Sequence, residues 1–187
     1  MPGKGNFMLF RGALLALGLL AAPLHAADVR QVSGCVLGQI SAADRDVISE
    51  HSLRQEQFPD AVEQRLRAAV TGCAERLAPS TAELEGALTD VLTTLYIEMA
   101  GPRLQRAGIP VAGLDGWFDS QSERIRANYG ADSMDDNEME RVTASMLQAM
   151  EARGVPAATM GEHGALVGGY LAARSLRFRV ERGMPME

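Results

Sequence analysis

The chain has 187 residues and a formal net charge of -6, and 47% of its residues are hydrophobic. This composition excludes an intrinsically disordered chain, and the length suits one domain that buries a core without further crosslinks. The acidic balance argues against a protein that binds nucleic-acid phosphates, so we expect no nucleic-acid partner.

The N-terminal segment has the layout of a secretory signal peptide. Lys4 and Arg11 form a positive region, residues 12–22 are apolar, and Ala26 is a small residue at the expected cleavage point. The apolar run of about 11 residues is too short for a bilayer, which needs roughly 20. We therefore predict a signal peptide over residues 1–26 and a mature chain over residues 27–187. This mature chain should have no transmembrane segment and be exported to the periplasm or secreted.

Cys35 and Cys73 are the only two cysteines. An even number in an exported chain predicts a disulfide. This bond would tie residues 27–40 to the helix predicted from Asp60 to Leu77, in a structural rather than a redox role. Alternatively, Val32-Ser33-Gly34-Cys35 resembles a lipobox, although polar residues separate it from the apolar run. With no CxxC motif and no histidine cluster, we predict neither a metal site nor a cofactor.

Apolar residues spaced by three and four predict successive helices in the first half of the mature chain. Ser41 opens a short polar segment, and a helix follows from Asp60 to Leu77 with Cys73 on its inward stripe. Ser80 and Glu83 form a capping-box pattern at the start of the next helix. Gly101 and Pro102 should stop or kink that helix, because proline lacks a backbone donor.

The second half of the mature chain shows the same pattern of apolar helical stripes bounded by capping residues, glycine or proline. We predict helices over residues 114–130, over residues 132–150 with an acidic start, and over residues 160–171, which are rich in glycine. Alternation from Leu176 to Val180 leaves a short strand open. The sequence thus predicts an all-α fold: a compact single-domain bundle of five or six helices after a cleaved signal peptide. Its expected core contains Leu88, Leu92, Leu95, Trp117 and Phe118.

Two patterns suggest metal binding but are better explained by packing or solvation. Met139, Met146 and Met150 share a helical face, which we interpret as core, since a copper site needs convergent soft ligands. The acidic stretch from Asp132 to Glu140 lacks the alternating ligands and central glycine of an EF-hand loop. We interpret it as a solvated helix start.

The C-terminal arginines, Arg174, Arg177, Arg179 and Arg182, form the only basic cluster. They suit an anionic envelope surface or an acidic partner. We favour a second explanation, that they neutralise the domain's own acidic residues between positions 115 and 162.

Catalysis finds little support in the sequence. His51 and His163 are the only histidines after residue 26, and no nucleophile elbow, HExxH, P-loop or dinucleotide motif is present. We predict an exported protein that acts by binding an envelope component or a protein partner, in an accessory, inhibitory or immunity-type role, with no catalytic residues. The alternative is an envelope hydrolase that uses His163 or His51 with carboxylates. A third hypothesis, a small-ligand carrier, requires an apolar cavity beside the glycine-rich final helix.

Overall fold

The computed structural model describes residues 28–54, 56–131 and 133–184, without the side chains of residues 53 and 54. The predicted signal peptide over residues 1–26 lies outside these residues. Every regular element in the described part of the chain is an α-helix. In chain order these are α1 (Val29–Gln39), α2 (Ala42–Arg54), α3 (Asp60–Leu77), α4 (Thr81–Arg106), α5 (Val111–Asp119), α6 (Glu123–Asn128), α7 (Asp136–Glu151), α8 (Ala157–Glu162) and α9 (Gly164–Glu181).

The all-α prediction is confirmed, but the predicted count of five or six helices is wrong, since the described residues form nine. Two of the extra elements arise where a predicted helix is interrupted. Ser120 donates its hydroxyl to the carbonyl of Trp117 (2.6 Å) and Ser122 caps α6, so the 114–130 segment divides into α5 and α6. A break at His163 similarly separates α8 from α9.

The N-terminal segment forms a helix, α1, that was not predicted from the sequence. The carboxylate of Asp28 caps α1 by accepting from the backbone N–H of Arg30. Val32 and Val36 are fully buried against the neighbouring helices, and Ser33 donates to Asp90 on α4 (2.6 Å). Packing against both α3 and α4 therefore anchors residues 29–39.

Helix α4 forms the spine of the fold, because it packs against α1, α2 and α9. It begins with the predicted capping box between Ser80 and Glu83. The predicted stop at Gly101–Pro102 does not occur, and the helix continues to Arg106. Pro102 is exposed while Gly101 is buried, so the proline ring faces solvent and the buried face continues to Leu104.

Two large apolar cores flank this spine, and a third, small cluster is formed by Val32 and Ala87. The first core lies between α1, α2, α3 and the middle of α4, and it includes Val36, Ile48, Val62 and Leu95. The second core is larger and lies between the end of α4 and α5–α9. Its buried members include Leu104, Leu114, Trp117, Phe118, Met146, Met150, Tyr170 and Leu171.

The core prediction holds for Leu95, Trp117 and Phe118, which are buried. Leu88 and Leu92 are only half-buried, because the solvent-facing side of α4 begins at these positions. The methionine stripe is confirmed as core packing: Met146 and Met150 are buried and Met139 packs against them. The strand left open over residues 176–180 is absent, since those residues belong to α9.

Candidate functional site

The two candidate catalytic histidines lie in different surroundings. His51 is on α2, and its Nδ1 lies 3.6 Å from Oε2 of Glu56, longer than a hydrogen bond. This buried nitrogen has no hydrogen-bond partner, and the imidazole packs edge-on against Phe58. The geometry fits a histidine held by packing rather than one oriented by a carboxylate.

His163 is at the junction of α8 and α9, where it serves as C-cap of one helix and N-cap of the other. Its side chain makes no cap hydrogen bond. In the described ranges no carboxylate oxygen, that of its neighbour Glu162 included, lies within ion-pair distance of the imidazole. Neither histidine therefore shows the oriented acid–base pair that the hydrolase hypothesis requires.

An open cleft of about 290 Å³ lies between α2 and α3. Its floor is apolar and includes Ile40, Ile48, Val62, Leu66 and Ala69, all of them also buried members of the first core. Its rim carries four polar residues, Gln39, Ser41, Asp44 and Arg65. The exposed Ala68 also lines the cleft. An apolar floor with a few convergent polar groups is the usual composition of a binding site.

The polar rim centres on an ion pair between α2 and α3. Arg65 donates Nε to both carboxylate oxygens of Asp44 (3.1 and 3.0 Å) and Nη2 to Oδ1 (2.5 Å). Ser41 donates its hydroxyl to the same carboxylate (2.7 Å), and the N–H of Asp44 donates back to that hydroxyl. The donors from Arg65 and then Ser41 lower the pKa of Asp44, because they stabilise its charged form.

The two halves of this ion pair differ in exposure, which gives the cleft its chemical character. The Asp44 side chain is 10% exposed, whereas that of Arg65 is 57% exposed. Nη1 of Arg65 is not used in the pair with Asp44. The rim therefore presents a guanidinium with one free edge above an apolar floor, which suits a carboxylate attached to an apolar group.

The cysteine pair lies beside this cleft, on α1 and α3. The sulfur atoms of Cys35 and Cys73 are 2.06 Å apart, at disulfide distance. Gln39, which lines the cleft, donates its amide to Cys73 Sγ (2.8 Å). Arg76 donates Nη2 to Cys35 Sγ (2.9 Å). Two polar donors thus contact the sulfur atoms directly.

The cavity that a small-ligand carrier needs beside α9 is occupied by a side chain. Tyr96 on α4 packs so closely on Gly169 that an added Cβ would lie 2.0 Å from the tyrosine hydroxyl oxygen. At the next residue of α9, the buried Tyr170 donates its hydroxyl to Asp115 (2.8 Å). Gly169 therefore permits the close approach of Tyr96, whereas a Cβ added at Gly164 or Gly168 would meet no atom within 4 Å.

Among the C-terminal arginines, Arg174 and Arg177 pair with acidic residues of the chain. Arg174 contacts Asp115 (3.6 Å) and Asp119 (3.1 Å), and Arg177 contacts Glu181 (3.4 Å). Arg182 lies over the ring of Phe178, 5.4 Å from its centroid. These contacts agree with the explanation that the basic cluster neutralises the domain's own charge.

The acidic helix start is solvated in most of its described part. A shallow depression is lined by Asp135, Asn137, Glu140, Arg141 and Ala144, all exposed and all from one helix and its cap. No second element forms a wall, so this surface does not enclose a ligand. Asp132 lies outside the described residues. Across those residues, no three His, Cys, Asp or Glu side chains group closely enough to hold a metal ion.

Sequence reasoning missed the cleft. Ser41 and Asp44 stand three residues apart in the polar segment that Ser41 opens, but Arg65 is 21 residues beyond Asp44 in the chain. The sequence shows only that Asp44 and Arg65 are charged residues close to the apolar stripes of their helices. It does not reveal which arginine pairs with which aspartate.

Comparison with protein-family models, curated proteins and solved structures found no match to this chain. In the part of the chain that the structure describes, no helix combines the length and hydrophobicity needed to cross a membrane. The α2–α3 cleft and the neighbouring cysteine pair are the features of the described residues that suggest a function.

Proposed function

We propose that this chain is an exported protein that acts by binding a protein partner through the α2–α3 cleft. The observation that carries the proposal is the accessible guanidinium of Arg65 at the rim of an apolar floor. Export is supported by the signal-peptide pattern and by the cysteine pair at disulfide distance, because disulfides persist in oxidising compartments.

The size of the cleft favours a protein over a small molecule. Its volume of about 290 Å³ is at the lower limit for small-molecule sites, which span about 300–1,000 Å³, and it is open to solvent. An open cleft of this size accepts one or two inserted side chains. The complementary segment would carry an aliphatic side chain for the floor and a neighbouring carboxylate for Nη1 of Arg65. An accessory, inhibitory or immunity-type role would follow from the partner bound.

Binding is a better account of the geometry than hydrolysis. The hydrolase alternative needs His51 or His163 in a cleft with a carboxylate at hydrogen-bond distance. The 3.6 Å separation between His51 and Glu56 is longer than this, and neither histidine lines the α2–α3 cleft.

The test is a photocrosslinking residue placed at Ala68, which lines the mouth of the cleft and is exposed. Ala112 on α5 is an equally exposed alanine remote from the cleft and provides the matched control. Crosslinking in the cells that produce the protein should yield one discrete protein adduct from position 68 and none from position 112. Equal adducts from both positions would contradict the proposal.

Affinity then decides whether the captured protein occupies the cleft. With the two proteins purified, Ala68→Trp should weaken binding at least about tenfold, because its indole fills the space meant for the partner's side chain. Ala112→Trp should bind like the parent chain. Unchanged affinity in the Ala68→Trp variant would refute the cleft as the binding site.

A further inference from the structure

The surroundings of the cysteine pair are unusually polar for a purely structural crosslink. Gln39 Nε2 lies 2.8 Å from Cys73 Sγ and 3.6 Å from Cys35 Sγ. Arg76 Nη2 lies 2.9 Å from Cys35 Sγ and 3.5 Å from Cys73 Sγ. Nε of Arg76 donates to the carbonyl of Gly72 (3.1 Å), which orients the guanidinium towards the sulfur atoms.

These donors do little for an intact disulfide, because its neutral sulfur is a weak acceptor. They matter once the bond opens, since a nearby cation and a hydrogen-bond donor both stabilise a thiolate. A stabilised thiolate is also the better leaving group in thiol–disulfide exchange. The two donors are therefore placed where they would lower the barrier to opening the bond.

Exposure determines which sulfur an incoming thiol reaches. Cys73 is 0% exposed, whereas Cys35 is only partly buried. An external thiolate can therefore reach Cys35 more readily than Cys73, and attack on Cys35 makes Cys73 the leaving group. Both leaving positions have a donor: Gln39 at Cys73 and Arg76 at Cys35.

We propose that the Cys35–Cys73 bond is a thiol–disulfide exchange site that an external dithiol opens at Cys35. The first thiolate of the dithiol bonds to Cys35 Sγ and breaks the Cys35–Cys73 bond, and Cys73 leaves as a thiolate and takes up a proton. The second thiol of the dithiol then attacks the first sulfur of the dithiol, which is bonded to Cys35 Sγ. This breaks the mixed disulfide and releases Cys35 as a thiolate, which takes up a proton. Two electrons and two protons pass to the protein, and the dithiol becomes a cyclic disulfide.

This exchange has a structural consequence beyond the proposed binding function. The bond joins α1 to α3, and α3 forms one wall of the cleft that Gln39 of α1 also lines. Opening the bond releases this covalent link while Val32 and Val36 still hold α1 in its packed position. The redox state of the pair would alter the rim of the cleft through Gln39, because Gln39 lines the cleft and donates to Cys73 Sγ.

The first experiment measures the rate at which dithiothreitol reduces the purified oxidised protein, with thiols trapped by alkylation and counted by mass. Arg76→Gln should slow reduction by about threefold or more, because Arg76 Nη2 also lies 3.5 Å from Cys73 Sγ, the leaving sulfur. One pKa unit in a thiol changes exchange by about that factor at a Brønsted slope near 0.5. Arg67→Gln is the control, because Arg67 is on the same helix but pairs with Glu63. An unfolded variant would be reduced faster, so slowing cannot arise from lost stability. Parent-like reduction of Arg76→Gln, or equal slowing in Arg67→Gln, would overturn the proposal.

The second experiment compares the two cysteines singly. In Cys73→Ala the remaining Cys35 should react with glutathione disulfide several-fold faster at pH 7 than the remaining Cys73 in Cys35→Ala. Its alkylation should also show a thiol pKa below the ordinary value of about 8.5, which Arg76→Gln should raise. Equal reactivity of the two thiols, or a Cys35 thiol pKa unaffected by Arg76→Gln, would contradict the assignment.

Discussion

Two adjacent glycines of α9 should respond in opposite ways to alanine. At Gly168 an added Cβ meets no atom within 4 Å, so alanine gives only the gain in helix propensity, about 0.5–1 kcal/mol. At Gly169 the same Cβ would lie 2.0 Å from the hydroxyl oxygen of Tyr96 and 2.7 Å from its Cζ. The tyrosine is partly buried and has few torsions, so it must displace its neighbours.

The difference between the two variants isolates this steric cost. Overpacking of this kind costs about 1–3 kcal/mol, so Gly169→Ala should be less stable than Gly168→Ala by that amount. At this chain length each kcal/mol corresponds to about 2–4 °C in Tm. Urea unfolding followed by circular dichroism measures both variants under identical conditions. Tyr96→Phe removes the hydroxyl oxygen at 2.0 Å and should reduce the difference in stability between Gly168→Ala and Gly169→Ala.

Equal stabilisation by Gly168→Ala and Gly169→Ala would refute the reasoning. It would mean that Tyr96 does not fill the space beside Gly169, and the packing of α4 on α9 would have to be reconsidered. It would also restore the cavity that the small-ligand hypothesis needs.

Three further predictions concern titration and crosslinking. Burial raises the pKa of all three tyrosines, Tyr96, Tyr129 and Tyr170. Absorbance titration of the folded protein should therefore show no tyrosine ionising near pH 10. The free energy of unfolding should fall as pH rises above that value, because the tyrosines ionise more readily in the unfolded chain. Because the folded-state pKa of Asp44 lies below 3.8, its pair with Arg65 should stabilise the fold above that pH and lose its contribution as pH falls below it; Asp44→Asn should remove this part of the acid dependence of unfolding. Replacing both cysteines by alanine should cost about 3–4 kcal/mol in urea unfolding, because the bond closes a loop with a sequence separation of 38; a cost near zero would show that the bond does not constrain the unfolded chain.

Local signals predicted the helices well, because they depend on residues close in the chain. The capping box at Ser80 and the inward stripe of α3 were both readable, and both are present. The interruptions near Ser122 and at His163 were not, since a serine or histidine inside an apolar pattern is compatible with a continuous helix. At Pro102 the sequence predicted an interruption that does not end the helix. Burial of the neighbouring Gly101 and Leu104 holds α4 together through the proline.

The candidate sites depend on pairings that the sequence does not encode locally. Arg65 meets Asp44 only because α2 and α3 pack side by side, and Arg76 reaches Cys35 across 41 positions. The cysteine pairing itself followed from counting, since two cysteines allow one bridge. The donors around the sulfur atoms, and the unequal exposure of the two cysteines, required the packed structure.

Export and the cysteine bridge underlie both proposals, and the intact mass of the protein isolated from the cells that make it tests them together. The account predicts a chain that begins at Ala27 and is two hydrogen atoms lighter than its reduced form, with no thiol available to an alkylating reagent before reduction. A chain that retains residues 1–26, one that begins at a lipid-modified Cys35, or one with two alkylatable thiols would contradict it.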